Sequence, residues 1–203
     1  MKQFIIITFL AAILAVSFPL TSGAQVKAKL NLPESKVWVR GTSSLHDWEV
    51  VFEKYDVEFA VRHPDNGTMS ISNVKAVFAG ASVTSESTIM TGKARDALMI
   101  REHPEILFTS EGAENVIIND GKISGNLKGK LSLRGISKAI DLSFSGNITS
   151  DRIHISGSEE VNMADYGIKP PTALLGTLKT GEKVTVELQL SFLIPGGAIT
   201  GSN

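Results

Sequence analysis

The chain has 203 residues, 42% of them hydrophobic, with 20 Lys+Arg against 21 Asp+Glu and no cysteine. That balance excludes the basic stripe of a nucleic-acid binder and any charged interaction tail. The missing cysteine excludes disulfides and a lipid-modified amino-terminal cysteine, and the length predicts one domain with a sizeable core.

The first predicted element is a targeting segment. Lys2 precedes an apolar run from Ile5 to Val16, broken only by Thr8, and Thr21-Ser22-Gly23-Ala24 supplies the small residues of a cleavage site. Residues 1–24 are therefore read as a signal peptide, 25–194 as the domain, and 195–203 as a flexible tail opening on Pro195-Gly196-Gly197. A retained membrane anchor is the competing reading, but the run is short for a span and Pro19 fits a cleavage region better. Removal of Lys2 with the leader leaves 19 basic against 21 acidic residues, a net charge of −2. An exported, periplasmic or extracellular protein with no membrane span after cleavage is expected.

Beyond the leader the sequence alternates with period two, the mark of half-buried strands. Trp48, Val50 and Phe52 share one face, although Val51 interrupts the pattern. Asp65-Asn66-Gly67 then reads as a hairpin tip. Ser87 to Arg101 breaks the alternation: Met90, Ala94, Ala97, Leu98 and Arg101 recur like a helix face, Ser85 or Ser87 can cap it, and Pro104 lies beyond. Gly92 is costly inside a helix, which places the start after it as one option. Asn119-Asp120-Gly121 joins Asn115–Ile118 to the cleanest strand, in which Ile123, Gly125, Leu127, Gly129, Leu131 and Leu133 face one way. A tight break at Arg134-Gly135 precedes Ile140, Leu142 and Phe144; Lys179-Thr180-Gly181 reads as another tip, and Val184 to Phe192 alternates again.

Short turns between long antiparallel strands predict a mainly all-β fold, a barrel with one short α-helix. Period two alone does not say whether the apolar face points in or out. Four cations on the polar face (Lys122, Lys128, Lys130, Arg134), only 6% aromatic residues and the helix all argue against an outer-membrane barrel.

Five segments resemble the YceI-like family. They are Ser35–Trp48 with its Leu45-His46-Asp47-Trp48, Ala94–Leu98 followed by His103–Phe108, Gly125–Lys138, Met163–Ala173 around Asp165-Tyr166-Gly167, and Thr177–Val184. Their order and spacing carry the likeness over nearly the whole mature chain. The resemblance implies a lipocalin-like antiparallel β-barrel. Some members bind a polyisoprenoid chain, such as an isoprenoid quinone or a prenyl pyrophosphate, in the interior. Gly92 in Thr91-Gly92-Lys93 departs from the pattern.

The apolar faces either fill a core or line a cavity. Inward Gly125, Gly129 and Gly146 leave room on one reading and mark bends on the other. Strand phase nominates Val37, Val39, Trp48, Phe52, Phe108, Leu127, Leu131, Phe144 and Met163 as lining residues, with Trp38 on the opposite phase. Lys93, Arg95 and Lys169 are candidates for a charged head group, and Pro170-Pro171 for a rigid loop near the opening. No cofactor is expected beyond a bound isoprenoid lipid or quinone, and the barrel mouth is a candidate homodimer surface.

Catalytic constellations are weak. His46 and Asp47 are neighbours on an extended segment, so a turn in which His46 bonds across Asp47 is favoured over a catalytic pair. Gly176–Gly181 lacks the Gly-Lys-Ser/Thr ending of a phosphate loop. The expected function is binding or carriage of an apolar lipid, an isoprenoid or fatty amphiphile, and not catalysis. The alternative is a solidly packed interaction module with no small-molecule ligand.

Overall fold

The computed structural model describes residues 25–62, 69–170, 172–173 and 178–195. The leader, the Asp65-Asn66-Gly67 tip, His63, Pro171 and the tail beyond Pro195 lie outside the described residues.

Among the described residues twelve strands and one α-helix follow one another: β1 (Gln25–Leu30), β2 (Lys36–Ser43), β3 (Trp48–Phe52), β4 (Tyr55–Arg62), β5 (Ser70–Ala79), β6 (Val83–Thr84), α1 (Thr88–Leu98), β7 (Glu105–Asn119), β8 (Lys122–Leu133), β9 (Ile136–Ile148), β10 (Arg152–Asn162), β11 (Thr172–Ala173) and β12 (Leu178–Leu193). The sheet runs β1-β4-β5-β7-β8-β9-β10-β12, and β12 pairs back to β1 at Lys29↔Leu193 and Leu30↔Phe192. That closure makes an eight-stranded antiparallel barrel. β2, β3 and β6 continue the walls of β1, β4 and β5 upward, so that β12 meets β1 and then β2 along one edge.

The breaks between these paired pieces are stapled. Ser82 Oγ accepts from Lys54 N–H at 3.0 Å and donates to Ala79 C=O at 2.7 Å. Ser35 Oγ donates to Asn31 C=O at 2.8 Å and accepts from the N–H of fully buried Ser191 at 3.0 Å. At each break a serine hydroxyl thus takes up backbone groups that the ladder leaves over.

Local chemistry sets the turns. Asp120 and Gly121 have φ of 47° and 71°, and Arg134 and Gly135 of 54° and 74°. Both pairs are type I′ turns, whose twist matches the flanking strands. Lys179-Thr180-Gly181 is not a tip: β12 passes through it with a bulge opposite Ser43–Gly41. Gly181 fits there because a Cβ would stand 2.5 Å from Thr42 Oγ1.

The helix begins before Gly92, not after it. Ser87 Oγ accepts from Met90 N–H at 3.3 Å as the cap. Gly92 sits on the exposed side with nothing near it. Met99 turns left-handed at φ 51° and ends the helix, so Arg101 is not on it. Among the described residues no helix is long and apolar enough to cross a membrane.

All described hairpin connections alternate between two ends of the barrel. One end, the mouth, carries the β2–β3 loop, α1, the Arg134-Gly135 turn and the 3₁₀ turn Met163–Tyr166. The far end carries the Asp120-Gly121 turn and the start of β1.

Candidate functional site

A cavity of about 290 Å³ opens at the mouth. β2 contributes Val37 and Val39, β3 Trp48, Val50 and Phe52, and β12 Val184 and Val186. The opposite wall is Ile106, Leu131 and Leu133, with Val161 and Met163 from β10 and the turn after it. The helix closes one side with Met90, Ala94, Ala97 and Leu98, four residues that pack on the core from one helical face. Ser43, His46, Lys93 and Thr180 are the polar members, and all lie at the mouth.

The helix is held in place by its own arginine. Arg95 Nε and Nη2 donate to Val83 C=O at 3.2 and 3.0 Å, tying α1 to the end of β6. That contact commits Arg95 to bracing the helix, and Arg95 is not among the lining residues. Lys169 is exposed and outside the lining, whereas Lys93 lines the cavity.

The β2–β3 loop is shaped by Ser43. Its Oγ accepts from the N–H groups of Leu45 and His46 at 3.3 and 3.2 Å and donates to His46 C=O at 2.7 Å. His46 Nδ1 lies 2.7 Å from the Asp47 carbonyl oxygen, a bond across the turn and not to a carboxylate. Trp48 closes the loop by donating from Nε1 to Thr42 C=O at 3.1 Å, with its ring laid over Gly41. A Cβ on Gly41 would fall 2.2 Å from that ring.

Two lining residues, Phe52 and Phe78, belong to an aromatic cluster with Tyr55. Phe78 meets Phe52 at 5.7 Å and Tyr55 at 5.8 Å between ring centroids. Burial pushes the Tyr55 phenol up to about 12, with the Glu53 charge adding to it, so the ring stays neutral. Trp38 lies on the outer surface, buried under Lys36 and Arg40 at 4.8 and 5.6 Å from its ring.

Six of the nine residues nominated by strand phase line the cavity: Val37, Val39, Trp48, Phe52, Leu131 and Met163. Leu127 and Phe144 point inward but lie deeper, in the packed half, and Phe108, level with Leu131, turns its ring over Gly129; none of the three lines the cavity. Depth along the axis depends on strand register, which alternation does not encode. The inward glycines do not leave room either. A Cβ on Gly125 would stand 2.7 Å from the Phe144 ring, and one on Gly129 2.6 Å from Phe108. Gly146 is pressed against the His154 backbone carbonyl, 1.8 Å from a would-be Cβ. Sequence reasoning missed the helix residues Met90, Ala94, Ala97 and Leu98 as lining, although their spacing gave the face they present. It also missed Leu45, which carries no periodic signal in its loop.

Among the described residues no cluster of His, Cys, Asp or Glu could hold a metal ion. Asp165 is exposed on its 3₁₀ turn and outside the cavity lining.

Similar folds occur among solved structures. BcnA of Burkholderia cenocepacia matches at 14% identity and a TM-score of 0.61, over 80% of this chain and 98% of that one. A polyisoprenoid-binding domain from Saccharophagus degradans, implicated in plant cell wall breakdown, matches at 14% identity and 0.63, over 85% and 100%. The Campylobacter jejuni YceI protein matches at 16% identity and 0.54, over 71% and 83%. At these identities the likeness speaks for the fold. No curated protein sequence matches. The model of the YceI-like domain, however, matches residues 25–192, the whole barrel from β1 to the end of β12. The five sequence segments, the closed eight-stranded barrel and that match agree, and the chain belongs to the YceI-like family.

Proposed function

We propose that this protein binds an apolar lipid in the mouth cavity, tail inward, and carries or sequesters it in the periplasm after export. The ligand is an isoprenoid or fatty amphiphile, such as a prenyl lipid or quinone. The observation that carries the reading is a lined apolar cavity whose polar residues, among the described ones, sit at its opening. Burying one methylene contributes about 0.8 kcal/mol, so a five-carbon unit contributes about 3–4 kcal/mol before the cost of association. A few buried carbons give useful affinity without a charged anchor. Lys93, a lining residue at the rim, is the residue proposed to meet a polar or anionic head. The polyisoprenoid binding of the Saccharophagus degradans domain supports the same ligand class.

Binding is favoured over catalysis because the His46 ring is engaged with the Asp47 backbone carbonyl rather than with a carboxylate. The test is to purify the mature protein without detergent, extract it with organic solvent and analyse the extract by mass spectrometry. A stoichiometric prenyl or acyl species is expected. A clean extract, with no uptake of a fluorescent fatty acid, contradicts the proposal.

A further inference from the structure

We infer that Phe108 forms the floor of the cavity, with Phe144 a second barrier beneath it, and that these rings set the length of chain it accepts, so that the barrel holds a short tail or only the end of a long one. This rests on the lipid-binding reading above. β8 crosses the barrel with inward positions Leu133, Leu131, Gly129, Leu127, Gly125 and Ile123, in order from the mouth. Only the first two line the cavity. At the third, the ring of Phe108 from β7 folds over Gly129 with carbons 2.6 Å from where a Cβ would be. Phe108 is itself directly opposite Leu131, the last lining residue on that strand. At the fifth, Phe144 of β9, directly opposite Gly125, covers it at 2.7 Å. Both rings are buried, 8% and 5% exposed. The two positions where the wall lacks a side chain are therefore the two filled by a neighbour's ring, and the shaft ends at the first.

The lined stretch of β12 runs from Thr180 to Val186. Six residue steps give about 20 Å of strand, or about 15 Å of depth at a tilt of roughly 40°. A straight chain beyond that depth must fold back or stay in water. While each added methylene is buried, affinity rises about fourfold per carbon, and beyond the floor it stops rising.

The experiment is calorimetric titration of the delipidated mature protein with straight-chain fatty acids from octanoate to eicosanoate. Affinity should climb and then level off between decanoate and palmitate. Phe108→Ala should move the plateau to longer chains, and Phe108→Ala combined with Phe144→Ala should move it further. If those variants do not fold, Phe108→Leu should lengthen the accepted chain, and Leu131→Phe, which raises the floor, should shorten it. Affinity that keeps climbing to eicosanoate, or a plateau unmoved in folded variants, overturns the floor while leaving lipid binding intact. Failure of every fatty acid to bind overturns both.

Discussion

The two halves of this barrel are made of the same strands and do opposite things. In the far half Phe192, Ile123 and Ile153 are at most 1% exposed, and Phe192 stacks edge-on against Phe59 at 4.7 Å. In the mouth half the inward residues Val39, Trp48, Leu131 and Val186 remain only partly buried around open volume. One half supplies the stability that lets the other stay unfilled. An apolar cavity forgoes the contacts that a packed interior makes, so it needs a rigid frame elsewhere.

The sharpest way to break that comparison is to truncate one residue in each half. Phe192→Ala should cost about 3–5 kcal/mol, read as a lower urea midpoint, because its cavity cannot collapse. Val39→Ala should cost only about 1 kcal/mol, since its side chain already borders empty space, yet it should weaken fatty-acid binding. Equal losses at the two sites would deny the division.

Glycine substitutions sharpen it next. Gly146→Ala forces a Cβ to within 1.8 Å of the His154 carbonyl oxygen and should destabilise by about 1–3 kcal/mol. Gly92→Ala, on the open face of α1 with nothing within 4 Å, should stabilise by about 1 kcal/mol. Thermal melts of the two variants should shift in opposite directions.

A smaller effect is expected at the helix tether. Arg95→Met removes both bonds to Val83 C=O and should cost about 1 kcal/mol of global stability, less than a fully buried charged hydrogen bond, because the guanidinium is half-buried. Hydrogen exchange in Thr88–Leu98 should accelerate and bound lipid should leave faster.

The smallest lies on the outer wall of the far half. The Arg152 guanidinium and the Ser191 hydroxyl bond to Glu34 and hold its carboxyl below the ordinary value of 4.5. A lowered carboxyl pKa in the fold contributes stability that is complete above 4.5 and is lost as pH falls through the lowered value. Glu34→Gln should flatten that part of the acid-denaturation curve and leave the neutral-pH midpoint nearly unchanged, as expected for an exposed pair.

The same division explains what could be read from sequence. Alternation in Lys122–Leu133 named the inward face correctly, and Asp120-Gly121 and Arg134-Gly135 marked real turns, because faces and turns are local properties. Whether Gly125 opens a void depends on Phe144 being its partner, and that register lies nineteen positions away in the chain. Phe108 and Leu131 are both inward, equally apolar and directly opposite one another, but Leu131 lines the cavity while the Phe108 ring turns down over Gly129, a side-chain direction that alternation does not encode. The Lys179-Thr180-Gly181 bulge looked like a turn for the same reason: its glycine is demanded by Thr42 across the sheet, not by a reversal of the chain.

The most direct measurement uses the two tryptophans, one on each side of the wall. Trp48 lines the cavity and Trp38 lies outside it under Lys36 and Arg40. A brominated fatty acid quenches tryptophan fluorescence on contact. In Trp38→Phe, where Trp48 alone reports, saturable quenching is expected. In Trp48→Phe, where Trp38 alone reports, the emission should stay unchanged at the same ligand concentration. Quenching of Trp38 to the same extent, or none of Trp48, would contradict a lipid site at the mouth.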